Sequence, residues 1–163
     1  MRPQDIVILL KIAAKGKQEW QMKTLANELV ISASEVSESL KRSVYAGLIM
    51  PNKKTLLKGN LLDFLRFGLK YVFPQRPSAI VKGLPTAHSA TPLRSEIISE
   101  DIYVWPYSKG EVKGQSIEPL YPTVPQACEN DEKLYELLTL TDALRVGRVR
   151  EQNLAFENLK KLL

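Results

Sequence analysis

The chain is poor in the residues that build stapled, metal-bound or membrane-spanning proteins. It has one cysteine, Cys128, one histidine, His88, 7% aromatic residues, and no apolar run longer than Ile6 to Leu10. A single thiol excludes an internal disulfide and fits a reducing, cytoplasmic setting. A lone histidine without cysteine neighbours lacks zinc-site spacing, so neither metal nor cofactor is expected. The longest apolar run is far short of the roughly 20 residues of a membrane span, and no leader pattern opens the chain. There is no glycine-rich phosphate loop and no nucleophile elbow, so the chain does not read as an enzyme. His88, in Thr86 to Thr91, reads as an exposed loop residue.

Charge is the first positive signal. The 163 residues carry a net +5, unevenly distributed: residues 1–83 hold 14 basic and 6 acidic side chains, net +8, and residues 84–163 hold 9 and 12, net −3. A basic front half points to a polyanionic partner, and the acidic back half to a different task.

Eight of the ten prolines lie between Pro74 and Pro125, a stretch no long helix can cross. The expected fold is therefore α+β, mainly α, in three sections: 1–73, 74–126 and 127–163. In the first, Pro3 opens a helix with Ile6, Leu9, Leu10 and Ala13 on one face, and Gly16 stops it. A second helix runs from about Lys23 to Leu29, with Trp20 packed before it. Three residues later Ser32-Ala33-Ser34-Glu35 has the form of a capping box, Ser32 capping the Glu35 amide and Glu35 reaching back. In the helix that follows, Val36, Leu40 and Val44 form a narrow buried stripe. Ser34, Ser37, Glu38, Lys41, Arg42 and Tyr45 point away from it. Leu48 to Leu57 reads as strand, basic turn, strand, and a fourth helix spans about Asn60 to Phe73.

The middle section predicts one β-hairpin, Ile102 to Trp105 against Val112 to Ile117 with a turn at Lys109-Gly110. Gln75 to Pro92 reads as an extended arm, suited to strapping a second subunit. The aromatics Tyr103, Trp105, Tyr107 and Tyr121 fit hairpin packing better than a ligand pocket. In the last section two amphipathic helices meet at Gly147, and the arginines Arg145, Arg148 and Arg150 read as an ion-paired corner. Leu134, Leu137, Leu138, Leu144, Phe156, Leu159, Leu162 and Leu163 exceed what the front half can cover, which predicts a homodimer joined through these helices.

Helix, three-residue turn, helix and basic two-stranded turn is the layout of a winged helix-turn-helix. The stretch Leu25 to Ser37, with Ala46-Gly47-Leu48-Ile49, resembles that superfamily and, within it, MarR-like bacterial transcription regulators over residues 3 to 73. The resemblance implies that the third helix enters the major groove of double-stranded DNA while the turn at Lys53 and Lys54 flanks the duplex. The DNA-contact candidates are Ser34, Ser37, Glu38, Lys41, Arg42, Lys53 and Lys54. Glu38 must either read a cytosine amino group or repel phosphate. A dimer of such modules implies an inverted-repeat operator. The alternative is a protein-interaction subunit, antitoxin-like, whose back half holds a second protein.

Overall fold

A computed structural model describes residues 1–163. The fold is mixed α/β, about 55% helix and 10% strand. Helix α1 (Pro3–Lys15) starts on proline, with the Asp5 carboxylate accepting from the Arg2 amide at 2.7 Å. Gly16 ends it at φ 59°, a backbone setting that costs other residues. Ile6, Val7, Ile8, Leu9, Leu10 and Ile12 are all buried. α1 is thus surrounded by the rest of the chain rather than lying on it with one apolar stripe.

Helix α2 (Met22–Leu29) stops at Val30, which adopts φ 55°, ψ 43°. The Ile31 amide donates to the Ala26 carbonyl at 3.0 Å and closes the turn. Helix α3 (Ala33–Tyr45) follows, capped by the Ser32 hydroxyl, which accepts from the Glu35 amide at 3.1 Å. The expected strand pair after it is minimal: one antiparallel bridge, Ile49 to Leu56, with the Met50 amide on the Thr55 carbonyl at 2.8 Å.

The predicted fourth helix forms with an irregular middle. Helix α4 (Lys58–Asp63) passes through a π-helical turn, Phe64–Gly68, into α5 (Leu69–Val72). A Cβ on Gly68 would sit 3.0 Å from the Phe64 ring, so the glycine leaves room for that ring to pack.

The middle section departs from expectation. The arm contains strand β1 (Ile80–Pro85), and β1 is antiparallel both to β2 (Tyr103–Pro106) and to β3 (Val112–Ser116). The predicted hairpin between the last two does not form; they run parallel, closing a three-stranded barrel. The reason is steric. A Cβ on Gly83 would lie 1.9 Å from the Trp105 carbonyl oxygen, and one on Gly110 2.2 Å from the Gly83 carbonyl. Two bare backbones let β1 insert where the direct pairing of β2 with β3 was expected, and Gly110 serves this approach rather than a hairpin turn. The arm is consequently tied through β1 into the sheet of its own chain.

Three helices complete the chain: α6 (Val124–Cys128), α7 (Glu132–Val146) and α8 (Val149–Leu162). Asp131 caps α7, accepting from the Leu134 amide at 3.0 Å. α7 packs on α1, α5 and α8, and on the turn at 87–89. One cluster of 33 buried residues runs from Ile6 through Leu93, Trp105 and Leu120 to Leu134 and Phe156, so the interior ignores the boundaries at 73 and 126. This removes the premise of the dimer expectation. Leu134, Leu137, Leu138, Leu144, Phe156 and Leu159 are buried within the single chain, and of the eight only Leu162 is classed as exposed.

Charged groups tie the sections at depth. Asp142 on α7 accepts from Trp105 Nε1 (2.6 Å), Thr86 Oγ1 (2.9 Å) and Arg145 Nη1 (2.7 Å). Arg145 also donates to the carbonyls of Phe73 (3.1 Å) and Glu118 (3.2 Å). The ion-paired corner is therefore real for Arg145, whereas Arg148 and Arg150 are exposed. Lys11, buried on α1, bridges Asp131 (2.5 Å) and Glu28 (2.9 Å). His88 is likewise buried, contrary to the loop reading: its Nε2 meets the Asp101 carbonyl at 2.8 Å and its ring lies edge-on to Tyr103.

Two outcomes follow. Asp142→Ala leaves the Arg145 charge and two buried donors without a partner, so urea denaturation should show a loss of about 3–5 kcal/mol. A chain truncated after Gln126 lacks α7 and uncovers α1; circular dichroism should show no cooperative melt, instead of a folded monomer.

Candidate nucleic-acid interface

α3 is fixed from beneath before it can offer anything outward. Val36 and Leu40 are buried, and Ser39 and Ser43, turned inward, are small enough for close packing on α1 and α2. The decisive contact is Arg42. Its guanidinium donates from Nη2 (2.7 Å) and Nε (3.0 Å) to the two carboxylate oxygens of Asp5, whose side chain is 0% exposed, and from Nη2 (2.5 Å) to Glu35. A planar fork on a planar carboxylate fixes both translation and rotation of α3 against α1.

This network rearranges two expected roles. Arg42 turns toward α1, and its Nε and Nη2 donors are taken by Asp5 and Glu35. Glu35 does not reach back to the cap: its carboxylate takes Arg42, accepts from Gln4 Nε2 at 3.1 Å, and lies 3.7 Å from Arg2. The capping box is therefore half formed. The Arg42 hydrogen bond is the main reason that the Glu35 carboxyl is held below its ordinary range, and the Asp5 hydrogen bond drives the guanidinium further up.

The outward face of α3 carries Ser34, Glu38 and Lys41, all exposed, with Ser37 half-buried beside them. Glu38 is neutralised locally: it pairs with Lys41 at 2.7 Å, one turn on, and that hydrogen bond lowers its carboxyl from the ordinary value. Tyr45 closes the helix at 97% exposure. The face is thus short hydroxyls, one ion pair and a terminal aromatic ring.

Lys53 and Lys54 sit on the turn between the bridged segments. Asn52 builds that turn, its side-chain oxygen accepting from the amides of Lys54 (2.9 Å) and Thr55 (3.0 Å). Lys53 takes φ 56° and is half-buried. Lys54 folds back, its Nζ 3.7 Å over the Trp20 ring and 2.5 Å from the Trp20 carbonyl. Trp20, read as a packing residue, thereby also docks the turn to the α1–α2 connection. Asn60 adds a clasp, donating to the Gly47 carbonyl at 2.7 Å. Neither asparagine's role is signalled beyond its turn propensity.

The sequence candidates thus divide into an outward set on α3, a turn set at Lys53 and Lys54, and one inward residue, Arg42. The aromatics of the middle section share no pocket. Trp105 is buried on Asp142, Tyr103 packs on His88, and Tyr107, hydrogen-bonded to Glu129, borders a cavity of about 380 Å³ with Leu84, Cys128 and Tyr135. No three His, Cys, Asp or Glu side chains come together as a metal site. No family model, curated protein or solved structure matches the chain.

The ion pairs set the acid limit. Glu35 and Glu28 are both held below their ordinary value of 4.5; burial works against the shift at Glu28, and its hydrogen bonds to Lys11 and Lys15 outweigh it. Depressed carboxyls contribute stability fully above the unfolded value and lose it as pH falls through the folded one. The melting temperature should be flat above about pH 5.5 and decline steadily below pH 4.5. Arg42→Met should cost roughly 3 kcal/mol in chemical denaturation by leaving Asp5 buried and unpaired.

Proposed function

We propose that residues 3–73 form a winged helix-turn-helix and that the protein is a DNA-binding transcriptional regulator, with α3 as the recognition helix in the major groove. The reading rests on one observation above others: the polar face of α3 is presented on a helix that Asp5 and Arg42 hold rigid, within a front half of net +8. A rigid helix makes sequence reading affordable, because less order is lost on binding. The resemblance of Leu25 to Ser37 to MarR-like regulators supports the same assignment.

Roles follow from chemistry and placement. Ser34 and Ser37 are short enough to reach base edges, since hydroxyls donate and accept. Lys41 meets phosphate, and Glu38 orients it until the phosphate takes over. Lys53 and Lys54 at the turn neutralise the flanking backbone, Lys54 leaving the Trp20 face to do so. Arg42 is a positioning residue: it sets the depth of α3 and touches no base.

One chain supplies one recognition helix, and the C-terminal leucines are already occupied at home. An inverted-repeat operator would therefore need a dimer made through exposed surface, with half-sites about 34–36 Å apart. The unit act is binding of a single half-site.

A salt titration against duplex DNA tests the proposal. Binding should weaken steeply as salt rises, and replacing both Lys53 and Lys54 by Ala should reduce the slope of log K against log salt by about 2 on every sequence. Ser37→Ala should instead change the ranking of sequences selected from a random pool. Salt-independent retention, or no retention in dilute buffer, would overturn the proposal.

A further inference from the structure

A second surface lies on the helix that follows the wing, away from the core. The segment Arg66-Phe67-Gly68-Leu69-Lys70-Tyr71 repeats cation then aromatic ring after four residues, which places the two pairs one turn apart on one helical face. Leu65 and Leu69 are buried, while Phe67 and Tyr71 are 63% and 73% exposed. Two large rings in water on one short helix are unusual, and each carries a charge nearby: the Arg66 guanidinium is 5.1 Å from the Phe67 ring and Lys70 Nζ 5.1 Å from the Tyr71 ring. The π-helical turn at Phe64–Gly68 spans the first pair and shifts the residues after it relative to a regular helix.

The surface continues onto α8. Arg66 also lies 4.3 Å over the Phe156 ring, whose other neighbour is Lys160 at 5.4 Å. Arg66 and Lys70 have no carboxylate partner; Lys160 has Glu157 at 2.9 Å. The patch is therefore cationic, aromatic and solvated, and it does not share residues with the α3 face.

Three occupants compete. A second copy would set Arg66 and Lys70 against their own counterparts, and Glu157 is already paired with Lys160. An intact duplex meets the cations but hides its base faces in the stack, leaving both rings idle. A single strand supplies phosphates for the cations and unstacked bases for the rings. We propose that Arg66, Phe67, Lys70 and Tyr71, with Lys160 at the flank, bind single-stranded nucleic acid, the rings stacking on bases and the cations on phosphates. The inference goes beyond the duplex reading and does not depend on it.

The full-length protein is titrated with a fluorescein-labelled 15-nucleotide oligothymidine and, separately, with a blunt duplex. Oligothymidine should bind in dilute buffer, quench tyrosine fluorescence, and weaken with salt. Phe67→Ala with Tyr71→Ala should weaken it on the order of tenfold or more, leaving duplex affinity unchanged. Both rings are exposed, so the melting temperature should hold; Arg66→Gln with Lys70→Gln gives a second variant that keeps the rings. Replacing Lys53 and Lys54 should weaken the duplex and spare oligothymidine. Absence of oligothymidine binding overturns the proposal, as does equal binding by the ring-deleted protein. A light-scattering mass of two chains that drops to one in that variant assigns the face to a second copy and also overturns it. Loss of duplex binding alone rejects the winged-helix reading and leaves this one standing.

Discussion

A carboxylate without access to water, Asp142, is the constraint on which the rest of the structure depends. Its oxygens are taken by an indole from β2, a hydroxyl just after β1 and a guanidinium one turn along its own helix. The guanidinium in turn satisfies carbonyls at the end of α5 and just after β3. A buried charge tolerates few arrangements, since each lost partner costs as much as a sizeable apolar contact. The positions of the barrel, the end of the front helices and α7 are thereby coupled through one group, and no part can shift far without the others.

Three further ion pairs repeat the device at the other end. Asp5 with Arg42 orients α3 on α1, and Lys11 with Asp131 and Glu28 pins α1 to the start of α7 and to α2. For Lys11 burial disfavours the charge, yet the bond it donates to Asp131 and its pairing with Glu28 leave its affinity for the proton raised. Apolar contact supplies the bulk of stability; these pairs supply register. Leucine surfaces slide past one another at little cost, whereas a bidentate contact on a buried carboxylate has one good geometry.

Much of the helical structure was legible, because proline, glycine and serine punctuate it. Pro3, Gly16, Ser32 and Gly147 mark boundaries that the structure keeps. What escaped were pairings between residues far apart in sequence. Nothing local to Ile80–Pro85 announces a strand, for Ile80 and Lys82 are exposed and its partners lie about twenty or more residues on. The burial of Asp142 and His88 escaped for the same reason, since a polar residue is buried by partners that the local pattern does not contain. On α3 the stripe of Val36 and Leu40 was readable, but the inward turn of Arg42 needed Asp5, thirty-seven positions away. The leucines of α7 were counted correctly and assigned the wrong cover, because α1 has apolar residues on every face and can serve two sides at once.

That last point bears on how such a protein would act. If α1 were a one-sided helix, the front section could fold and bind alone, and the back half would be free to carry a separate function. Instead α1 is the shared wall between the helix that presents Ser34, Ser37 and Lys41 and the helix that carries Asp142. A disturbance at the barrel therefore has a packed route to α3: β2 through Trp105 to Asp142, α7 to α1, and α1 through Asp5 to Arg42. Packed elements move between discrete arrangements rather than by gradual bending, so the seat of α3 on Asp5 and the seat of α7 on α1 are set by one shared wall.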